Sequence, residues 1–214
     1  MIKLYNEQLS GNCYKLRLFM ALLGIACERV PVNFHPGREH KQAEFLALNP
    51  FGQLPVIDDD GFVLRDAQAI LVYLASRHDS TGTWFPADPK RRAQVMLWLT
   101  VAEDITRSAS AARLHDAFGY DLDAPACRAA AHRLFAHIED HLGDREAAGE
   151  GWLVGATPTL ADIACFPYIA LAPEGGIALT RYPALRRWIA RVKSIPGFVG
   201  MPGIFALGID AEAT

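Results

Sequence analysis

The stretch Asn49-Pro50-Phe51-Gly52-Gln53-Leu54-Pro55-Val56 combines a turn with the start of an apolar strand. An Asn-Pro pair followed by Gly is typical of a tight turn. Pro55 has no backbone N–H to donate to a sheet, and its ring favours an extended Leu54. A proline at this point predicts a bend and is compatible with a cis bond. The N–H and C=O of Leu54 would then form a free edge that can pair with the backbone of a small peptide.

The elements around this stretch run in the order βαβα and then ββα. Apolar residues recur at helical spacing from Leu16 to Leu23, and Gly24 is a natural helix end. The sequence Asp58-Asp59-Asp60-Gly61 predicts a hairpin between two short strands. A crossover unit followed by a hairpin and a helix indicates an α/β thioredoxin-like N-terminal domain over residues 1–78. Strands are predicted at residues 2–5, 28–34, 54–58 and 62–65, and later helices at 42–48 and 67–78.

The sequence changes character after residue 78. Residues 79–89 are rich in Ser, Thr, Pro and Asp, which is typical of a linker between domains. Ala, Leu and Arg dominate residues 90–214, and their spacing predicts an all-α C-terminal domain. Thr159 followed by Asp162 matches the capping-box pattern of a helix start. The helices of this domain are predicted at residues 90–116, 124–147, 159–171 and 182–194.

Charge and composition argue against several classes of protein. The chain of 214 residues has a formal net charge of −3 and a pI near 6.2, so no global attraction to nucleic acid or to an anionic membrane is expected. No apolar run approaches the roughly 20 residues that cross a bilayer, and no apolar leader follows Met1. The four cysteines are widely spaced without a C-x-x-C pair. We therefore expect free thiols and a cytoplasmic location.

Ser10, Asn12 and Cys13 lie where the first helix is predicted to begin. Unpaired N–H groups and the positive end of the helix dipole favour negative charge at such a position. A thiolate there would have its pKa lowered from about 8.5 toward or below neutrality. Ser10 can donate a hydroxyl hydrogen bond to the sulfur, Asn12 can donate through its amide, and Cys13 can itself react. The simplest alternatives are an N-capping serine and a buried cysteine.

Two neighbouring segments strengthen the pattern of the opening stretch. Together with His40-Lys41 upstream and Leu64-Arg65-Asp66-Ala67-Gln68-Ala69-Ile70 downstream, it resembles the glutathione-binding half of the cytosolic glutathione S-transferases. The pattern is most similar to the phi and bacterial theta-like groups. Tyr182-Pro183-Ala184-Leu185-Arg186-Arg187-Trp188 and Ile195-Pro196-Gly197 resemble the last helix of that family's helical domain and its exit. The resemblance covers the chain except for its final residues, and it implies the glutathione transferase fold.

The resemblance implies that glutathione binds as a co-substrate against the N-terminal domain. Ser10 would steady the glutathione thiolate, with Asn12 and Cys13 as rivals for that role. The main chain of Leu54, beside a cis Pro55, would pair with the cysteinyl residue of glutathione.

Further contacts would hold the two ends of glutathione. His40, Lys41 and Gln53 would bind the glycine carboxylate. Asp66 and the N–H of Ala67 would bind the γ-glutamyl group, a role that helix-terminus chemistry also supports. The family usually has Ser where this chain has Ala67. One hydroxyl donor is therefore missing, and weaker glutathione binding is expected.

The second substrate, a hydrophobic electrophile, would lie between the domains against the long helix after the linker. Its candidate contacts are Arg107, Ser108, Ala111 and Arg113. Residues 201–207 are a candidate cap over the pocket. His137 and His141 have ligand spacing, but no Glu directly follows the first His as in metalloproteases, so no metal site is predicted. The family forms two-fold dimers, which implies a homodimer.

The leading hypothesis is an enzyme, a detoxifying glutathione transferase that ionises glutathione and conjugates its thiolate to the electrophile. One alternative is a glutathione-dependent thiol–disulfide oxidoreductase or peroxidase, acting through Cys13 or through bound glutathione alone. Another is a non-catalytic, transferase-like binding protein, because the fold alone does not determine activity.

Overall fold

The computed structural model describes residues 1–205, which form a thioredoxin-like α/β domain followed by a helical domain. The predicted fold class is confirmed. Residues 206–214 lie outside the described residues, and they include the last two residues of the predicted cap and the end of the predicted C-terminal domain.

A four-stranded mixed sheet forms the centre of the N-terminal domain. The strand order is β2-β1-β3-β4, with β1 parallel to β2 and the other pairs antiparallel. The strands are β1 Ile2–Asn6, β2 Cys27–Pro31, β3 Val56–Asp59 and β4 Phe62–Arg65, and the helices are α1 Gly11–Leu22, α2 Ala43–Leu48 and α3 Ala67–His78.

The two faces of this sheet bury different side chains. Leu4 and Ile57 are buried in the main core together with residues of α1 and α3. Tyr5 and Val56 belong to a smaller cluster with Phe45 of α2 on the opposite face. This alternation follows from the two-residue period of a strand, and it places α1 and α2 on opposite sides of β1.

The predicted second strand extends too far toward the C-terminus. β2 ends at Pro31, whereas the sequence pattern predicted Phe34. The chain turns directly afterwards, because the Asn33 side chain accepts a hydrogen bond from the N–H of Gly37 at 2.9 Å. The alternation of apolar residues therefore continues past the point where the backbone leaves the sheet.

The predicted third strand starts two residues too early. β3 begins at Val56, because Pro55 has no N–H for a ladder position. The Leu54–Pro55 peptide bond is cis. Leu54 thus lies at the entrance of the strand and outside the sheet ladder.

The helical domain begins directly after residues 79–88. Asp88 caps its first helix by accepting the N–H of Arg91 at 2.8 Å. The helices are α4 Pro89–Ile105, α5 Ala111–Phe118, α6 Ala124–Ala147, α7 Leu160–Ala170 and α8 Pro183–Lys193. Within residues 1–205, no helix is long and apolar enough to cross a membrane.

The single helix predicted at residues 90–116 is wrong in one respect. A π-helical turn, Thr106–Ser110, separates α4 from α5. The hydroxyls of Thr106 and Ser108 donate to the carbonyls of Ala102 and Asp104, at 2.9 and 2.6 Å. Such back-bonding competes with the regular helix ladder and often bends helices. The inserted turn changes which side chains face the N-terminal domain.

Helix α7 is almost completely buried and joins the two domains. Its buried Asp162 accepts hydrogen bonds from the N–H groups of Thr159 and Leu153, at 2.9 and 3.0 Å, and from the indole of Trp188 at 2.8 Å. Thr159 and Asp162 form the predicted capping box. Three segments of the helical domain therefore meet at one carboxylate, which fixes the start of α7 against α1.

Candidate functional site

A cavity of about 810 Å³ lies between the two domains. Its N-terminal wall consists of the start of α1, the loops before α2 and β3, and the start of α3. Its other wall comes from α4, the π-helical turn and α5, with one side chain from α7. The cavity therefore exposes groups from both domains to one space.

The structure brings nearly all predicted glutathione contacts to this cavity. The lining includes Ser10 and Asn12 together with His40, Lys41, Gln53, Leu54, Pro55, Asp66 and Ala67. These residues lie far apart in the sequence, and the cavity collects them at one surface. Cys13, the third candidate at the helix start, does not line it.

Ser10 is the N-cap of α1. Its hydroxyl oxygen accepts the N–H of Cys13 at 3.2 Å, which leaves its hydrogen able to donate toward the cavity. Tyr14 N–H donates to the Ser10 carbonyl at 2.9 Å. The cap and the proposed donor to sulfur are therefore compatible, because one uses the oxygen lone pair and the other the O–H bond.

Two arginines hold the loop that precedes Ser10. Arg17 of α1 donates to the carbonyl of Gln8 at 2.8 Å. Arg113 of α5 donates to the carbonyl of Leu9 at 2.9 Å. Both guanidinium groups are buried. The position of Ser10 therefore depends on one contact within its own domain and one from the helical domain.

Cys13 faces the protein interior with no exposed surface. Burial raises the pKa of its thiol, although contacts with the Glu7 N–H and the Ser10 hydroxyl oppose this. Its sulfur accepts the Glu7 N–H at 3.4 Å. A neutral, buried thiol is a poor nucleophile.

The turn before β3 leaves a free backbone edge. Within residues 1–205, neither the N–H nor the C=O of Leu54 has an intramolecular hydrogen-bond partner. The amide of buried Asn49 shapes this turn by donating to the Gln53 carbonyl at 2.8 Å and accepting the Phe51 N–H at 3.1 Å. The free edge was predicted from the sequence. The role of Asn49 in stabilising the turn was not predicted, although an Asn before Pro is a known turn signal.

Lys41, like Arg38, is an exposed cation at this end of the cavity. Its ammonium donates to the carbonyls of Phe51 and Gly52, at 3.2 and 3.0 Å. Gly52 has φ +56°, and a Cβ there would lie 2.7 Å from the His40 carbonyl oxygen. Glycine is therefore needed for the loop to approach Lys41 this closely.

His40 is buried and stacks on Phe34, with ring centroids 3.8 Å apart. Burial lowers the pKa of its imidazole, and the neighbouring charges of Lys41 and Arg38 lower it further. The ring is therefore neutral at pH 7. It can contribute a hydrogen bond to an anionic ligand, while Lys41 and Arg38 supply the positive charge.

Asp66 caps α3 with an unusual backbone conformation, φ 77°. One carboxylate oxygen accepts the N–H groups of Gln68 and Ala69, both at 3.0 Å. The N–H of Ala67 has no hydrogen-bond partner among residues 1–205. A free N–H at a helix start suits an anionic group of a ligand.

The helical wall of the cavity differs from the one predicted. Of the four candidate contacts for a second substrate, Arg113 lines the cavity, and Arg107, Ser108 and Ala111 do not. Arg107 is exposed and paired with Asp104, while the Ser108 hydroxyl is turned back to its own helix. The sequence alone did not indicate which face of this helical segment is open to the cavity. Thr106, Ser110, Arg113 and Leu114 line the wall.

Aromatic residues at the mouth of the cavity were missed by sequence analysis. The ring of His35, on the loop after β2, lies 6.0 Å from that of Tyr120, on the loop after α5. Phe34, Pro36, Phe118 and Tyr120 also contribute to the lining. These loops have no periodic pattern, so no sequence signal connects them.

Tyr168 of α7 also lines the cavity and was not predicted. Its hydroxyl oxygen accepts the N–H of Asn12 at 3.2 Å. Its ring lies against Gly11, where a Cβ would come within 2.5 Å of the ring. Tyr168, which lies 156 positions after Asn12 in the sequence, therefore packs against the start of α1.

The predicted cap does not close the cavity with its described part. Met201 and Ile204 pair with each other through backbone hydrogen bonds of 2.9 and 2.8 Å and are buried in the core. Residues 201–205 are not among those that line the cavity. Ala206 and Leu207 lie outside the described residues.

Metal-binding geometry is not found in the described part of the chain. Among residues 1–205, no group of three His, Cys, Asp or Glu side chains is arranged to hold an ion. His141, which shares ligand spacing with His137, instead contacts the Leu153 carbonyl at 2.9 Å.

Comparison with known proteins gives consistent matches along the chain. Residues 1–76 match the model of the glutathione S-transferase N-terminal domain, and residues 108–191 match that of the C-terminal domain. A maleylacetoacetate isomerase from Pseudomonas aeruginosa is 32% identical over 92% of this chain and 93% of its own. A crystal structure of a glutathione S-transferase from Xanthobacter autotrophicus Py2 has a TM-score of 0.84 at 31% identity, covering 95% of this chain and 98% of that one. A glutathione transferase homologue from Lodderomyces elongisporus, solved with two GSH per subunit, has a TM-score of 0.80 at 26% identity, covering 92% and 94%.

Gly11→Ala tests whether the ring of Tyr168 packs closely against α1. The added methyl would overlap the ring, so we expect the free energy of unfolding to fall by about 1–3 kcal/mol. Urea denaturation measures this. The matched control is Gly143→Ala in α6, where no atom lies within 4 Å of the new Cβ. That variant should gain about 0.5–1 kcal/mol from helix propensity. Equal gains in the two variants would show that the contact with Tyr168 is loose.

Proposed function

Because this chain belongs to the cytosolic glutathione transferase family, we propose that it binds glutathione in the cavity and transfers its thiolate to an electrophile. The observation that carries the proposal is the convergence on one cavity of a free peptide edge, a helix-start N–H and a serine hydroxyl at the start of α1. Each matches one part of glutathione, an extended tripeptide with a carboxylate at each end and a thiol between them.

In the proposed complex glutathione lies along the edge of the N-terminal domain. Leu54 pairs with the cysteinyl backbone, and the Ala67 N–H and Asp66 receive the γ-glutamyl group. Lys41 supplies the charge for the glycine carboxylate, since His40 is neutral at pH 7. The thiol then lies close to Ser10.

Thiolate stabilisation in this site comes from the start of α1. Among residues 1–205, the N–H of Gly11 has no hydrogen-bond partner, whereas those of Asn12 and Cys13 are used by Tyr168 and Ser10. The helix dipole and the hydroxyl of Ser10 remain to favour the anion. Lowering the thiol pKa by two units corresponds to about 2.7 kcal/mol of preferential binding of the thiolate.

The alternatives are supported less well. Cys13 is buried and its pKa is raised, which argues against a route in which it forms a mixed disulfide. A non-catalytic binding protein would not need the clamped Ser10 loop. An isomerase that uses the same thiolate is the second candidate, favoured by the relative named maleylacetoacetate isomerase. Conversion of a cis-enone to its trans isomer without loss of glutathione, followed by NMR, would identify that activity.

The second substrate is proposed to be hydrophobic and to enter beside the aromatic rim of the cavity. Phe34, Phe118 and Tyr120 provide flat apolar surface there. No metal takes part in this scheme, and a detoxifying role in the cytoplasm is proposed from the family.

Ser10→Ala tests the ionisation of glutathione. We expect the wild-type protein with glutathione at pH 7 to show a thiolate band in the ultraviolet difference spectrum. Loss of a hydrogen bond to a charged group should raise the apparent thiol pKa by about 1–2 units in the variant.

Ser194→Ala, at the end of α8, is the control for removing a hydroxyl elsewhere. A band that survives in Ser10→Ala would transfer the role to Asn12 or to the helix start. A wild-type protein without any band would contradict glutathione ionisation.

Ala67→Ser tests the missing hydroxyl at the γ-glutamyl end. The new hydroxyl can donate to the carboxylate, so we expect the Kd of glutathione, measured by calorimetry, to fall about 2- to 10-fold. Ala69→Ser, on the same helix and exposed, should leave the Kd unchanged. Equal affinities in both variants would place the γ-glutamyl group elsewhere.

A homodimer is proposed from the family and from exposed apolar side chains. Phe51 and Leu97 are 59% and 61% exposed, and Phe62 of β4 is also exposed. Arg65 of β4 lies 3.9 Å over the Phe51 ring, so this loop and β4 share one surface.

Light scattering should give twice the chain mass of 23.5 kDa for the wild-type protein. Leu97→Glu should shift it toward one copy, because a charge is costly in an apolar interface. Leu122→Glu, exposed on the loop after α5, is the control. A monomeric wild-type protein would refute the dimer.

A further inference from the structure

The guanidinium of Arg113 is held by groups from both domains. Its Nε donates to a carboxylate oxygen of Glu174 at 2.5 Å, and its Nη1 donates to the Leu9 carbonyl at 2.9 Å. The ring centroid of Phe118 lies 5.1 Å from the guanidinium carbon. The side chain is only 5% exposed, although Arg113 lines the cavity. One rigid fork of N–H donors therefore connects a carboxylate of the helical domain to a carbonyl of the N-terminal domain.

The Leu9 carbonyl belongs to the peptide unit that leads into Ser10. This unit is planar, so the orientation of its carbonyl also sets that of the Ser10 N–H. The N–H donates to the Glu7 carbonyl at 3.3 Å, while the carbonyl accepts from Arg113. Both polar groups of the unit are thus fixed, and the direction of the Ser10 side chain depends on them.

Glu174 lies on a 3₁₀ turn, Ala172–Gly175, that packs closely against α5. A Cβ at Gly175 would lie 2.6 Å from the backbone nitrogen of Arg113, so this approach requires glycine. On the other side, a Cβ at Gly203 would collide with the second carboxylate oxygen of Glu174. The carboxylate therefore has little room to move away from the guanidinium.

This ion pair differs from an exposed pair because the cation is buried. Among residues 1–205, Glu174 is the one residue with a carboxylate within 4 Å of the Arg113 guanidinium. A buried guanidinium without a charge partner is unfavourable, so loss of this contact is expected to displace it toward solvent. Such a displacement would release the Leu9 carbonyl, because the same fork of donors serves both acceptors.

We propose that Glu174 is a positioning residue for the ionisation of glutathione, because it fixes Arg113, which in turn holds the loop that carries Ser10. This inference rests on the proposed binding of glutathione in the cavity. Glu174 does not line the cavity, so it acts on the thiolate only through Arg113 and the loop. The helical domain thereby sets the acidity of a thiol that is bound to the N-terminal domain.

The charge of Glu174 alone would have the opposite effect. A carboxylate near the site disfavours a second anion, so its charge raises the pKa of a bound thiol. Its positioning of Ser10 lowers that pKa, because the hydroxyl donates a hydrogen bond to the thiolate. The two effects differ in sign, and variants that remove one and keep the other can separate them.

Glu174→Asp and Glu174→Gln form such a pair. The first keeps the charge and shortens the side chain by one methylene group, and the second keeps the reach and an oxygen acceptor without the charge. The thiolate band of bound glutathione is titrated against pH in each. We expect Glu174→Asp to raise the apparent thiol pKa by about 0.5–1 unit and Glu174→Gln to change it by less than about 0.3 unit. In Glu174→Asp, kcat/KM for 1-chloro-2,4-dinitrobenzene should fall about 3- to 10-fold at pH 6 and equal the wild-type value at pH 9, where the thiol is ionised in both proteins.

Glu150→Asp is the matched control. The Glu150 side chain is 33% exposed, against 35% for Glu174, and it also pairs with an arginine, Arg145, away from the cavity. This variant should leave the thiol pKa unchanged.

Several outcomes would overturn the role of Glu174 while a wild-type thiolate band leaves glutathione ionisation in place. They are an unchanged thiol pKa in Glu174→Asp, an equal shift in Glu174→Asp and Glu174→Gln, a lowered pKa in Glu174→Gln, and a rate loss of the same size at pH 6 and pH 9. A wild-type protein without any thiolate band would overturn both this role and the proposed function.

Discussion

The first turn of α1 has to satisfy its backbone N–H groups without the help of a preceding helical turn. An unpaired buried donor costs about 1–3 kcal/mol, and this structure divides the task between the domains. Ser10 accepts from Cys13, and Tyr168 of the helical domain accepts from Asn12. The place where a thiolate would be stabilised is therefore assembled by both domains, and it exists only when they are packed together.

Other polar contacts also join the two domains at the cavity. Arg113 of α5 reaches the loop before Ser10, and the amide of Gln68 on α3 donates to Glu103 on α4. These contacts are buried or half-buried, so they are less screened than surface pairs. They link the start of α3 and the loop before α1 to the orientation of the helical domain. The N-terminal domain supplies the free peptide edge and two helix starts that line the cavity, and the helical domain contacts both of those helix starts.

The sequence was sufficient for the order of elements in the N-terminal domain, the capping box and most groups of the N-terminal wall of the cavity. Those features depend on local chemistry: a proline at a strand entrance, an acid at a helix start, a serine before a helix. The helical wall was predicted less well. The sequence did not show which face of the helical segment after the linker is open, and Thr106, Ser110 and Leu114 line the cavity in place of Arg107, Ser108 and Ala111. Three further lining residues were also missed, namely Tyr168, His35 and Tyr120. Tertiary packing brings them to the cavity, and no local sequence pattern predicts such packing.

The π-helical turn also affects which side chains of α5 face the cavity. A residue gained or lost in a regular helix rotates every later side chain by about 100°. The face that α5 shows to the cavity is thus set by the number of residues between α4 and α5 and not only by their identity. The groups of the N-terminal wall lie on another domain, and α5 reaches them through the hydrogen bond of Arg113 to the Leu9 carbonyl. A change of chain length by one residue would therefore replace the side chains that α5 presents to the cavity, Arg113 included, while the peptide edge at Leu54 and the start of α3 keep their place. Such a change offers a route to new specificity within one fold.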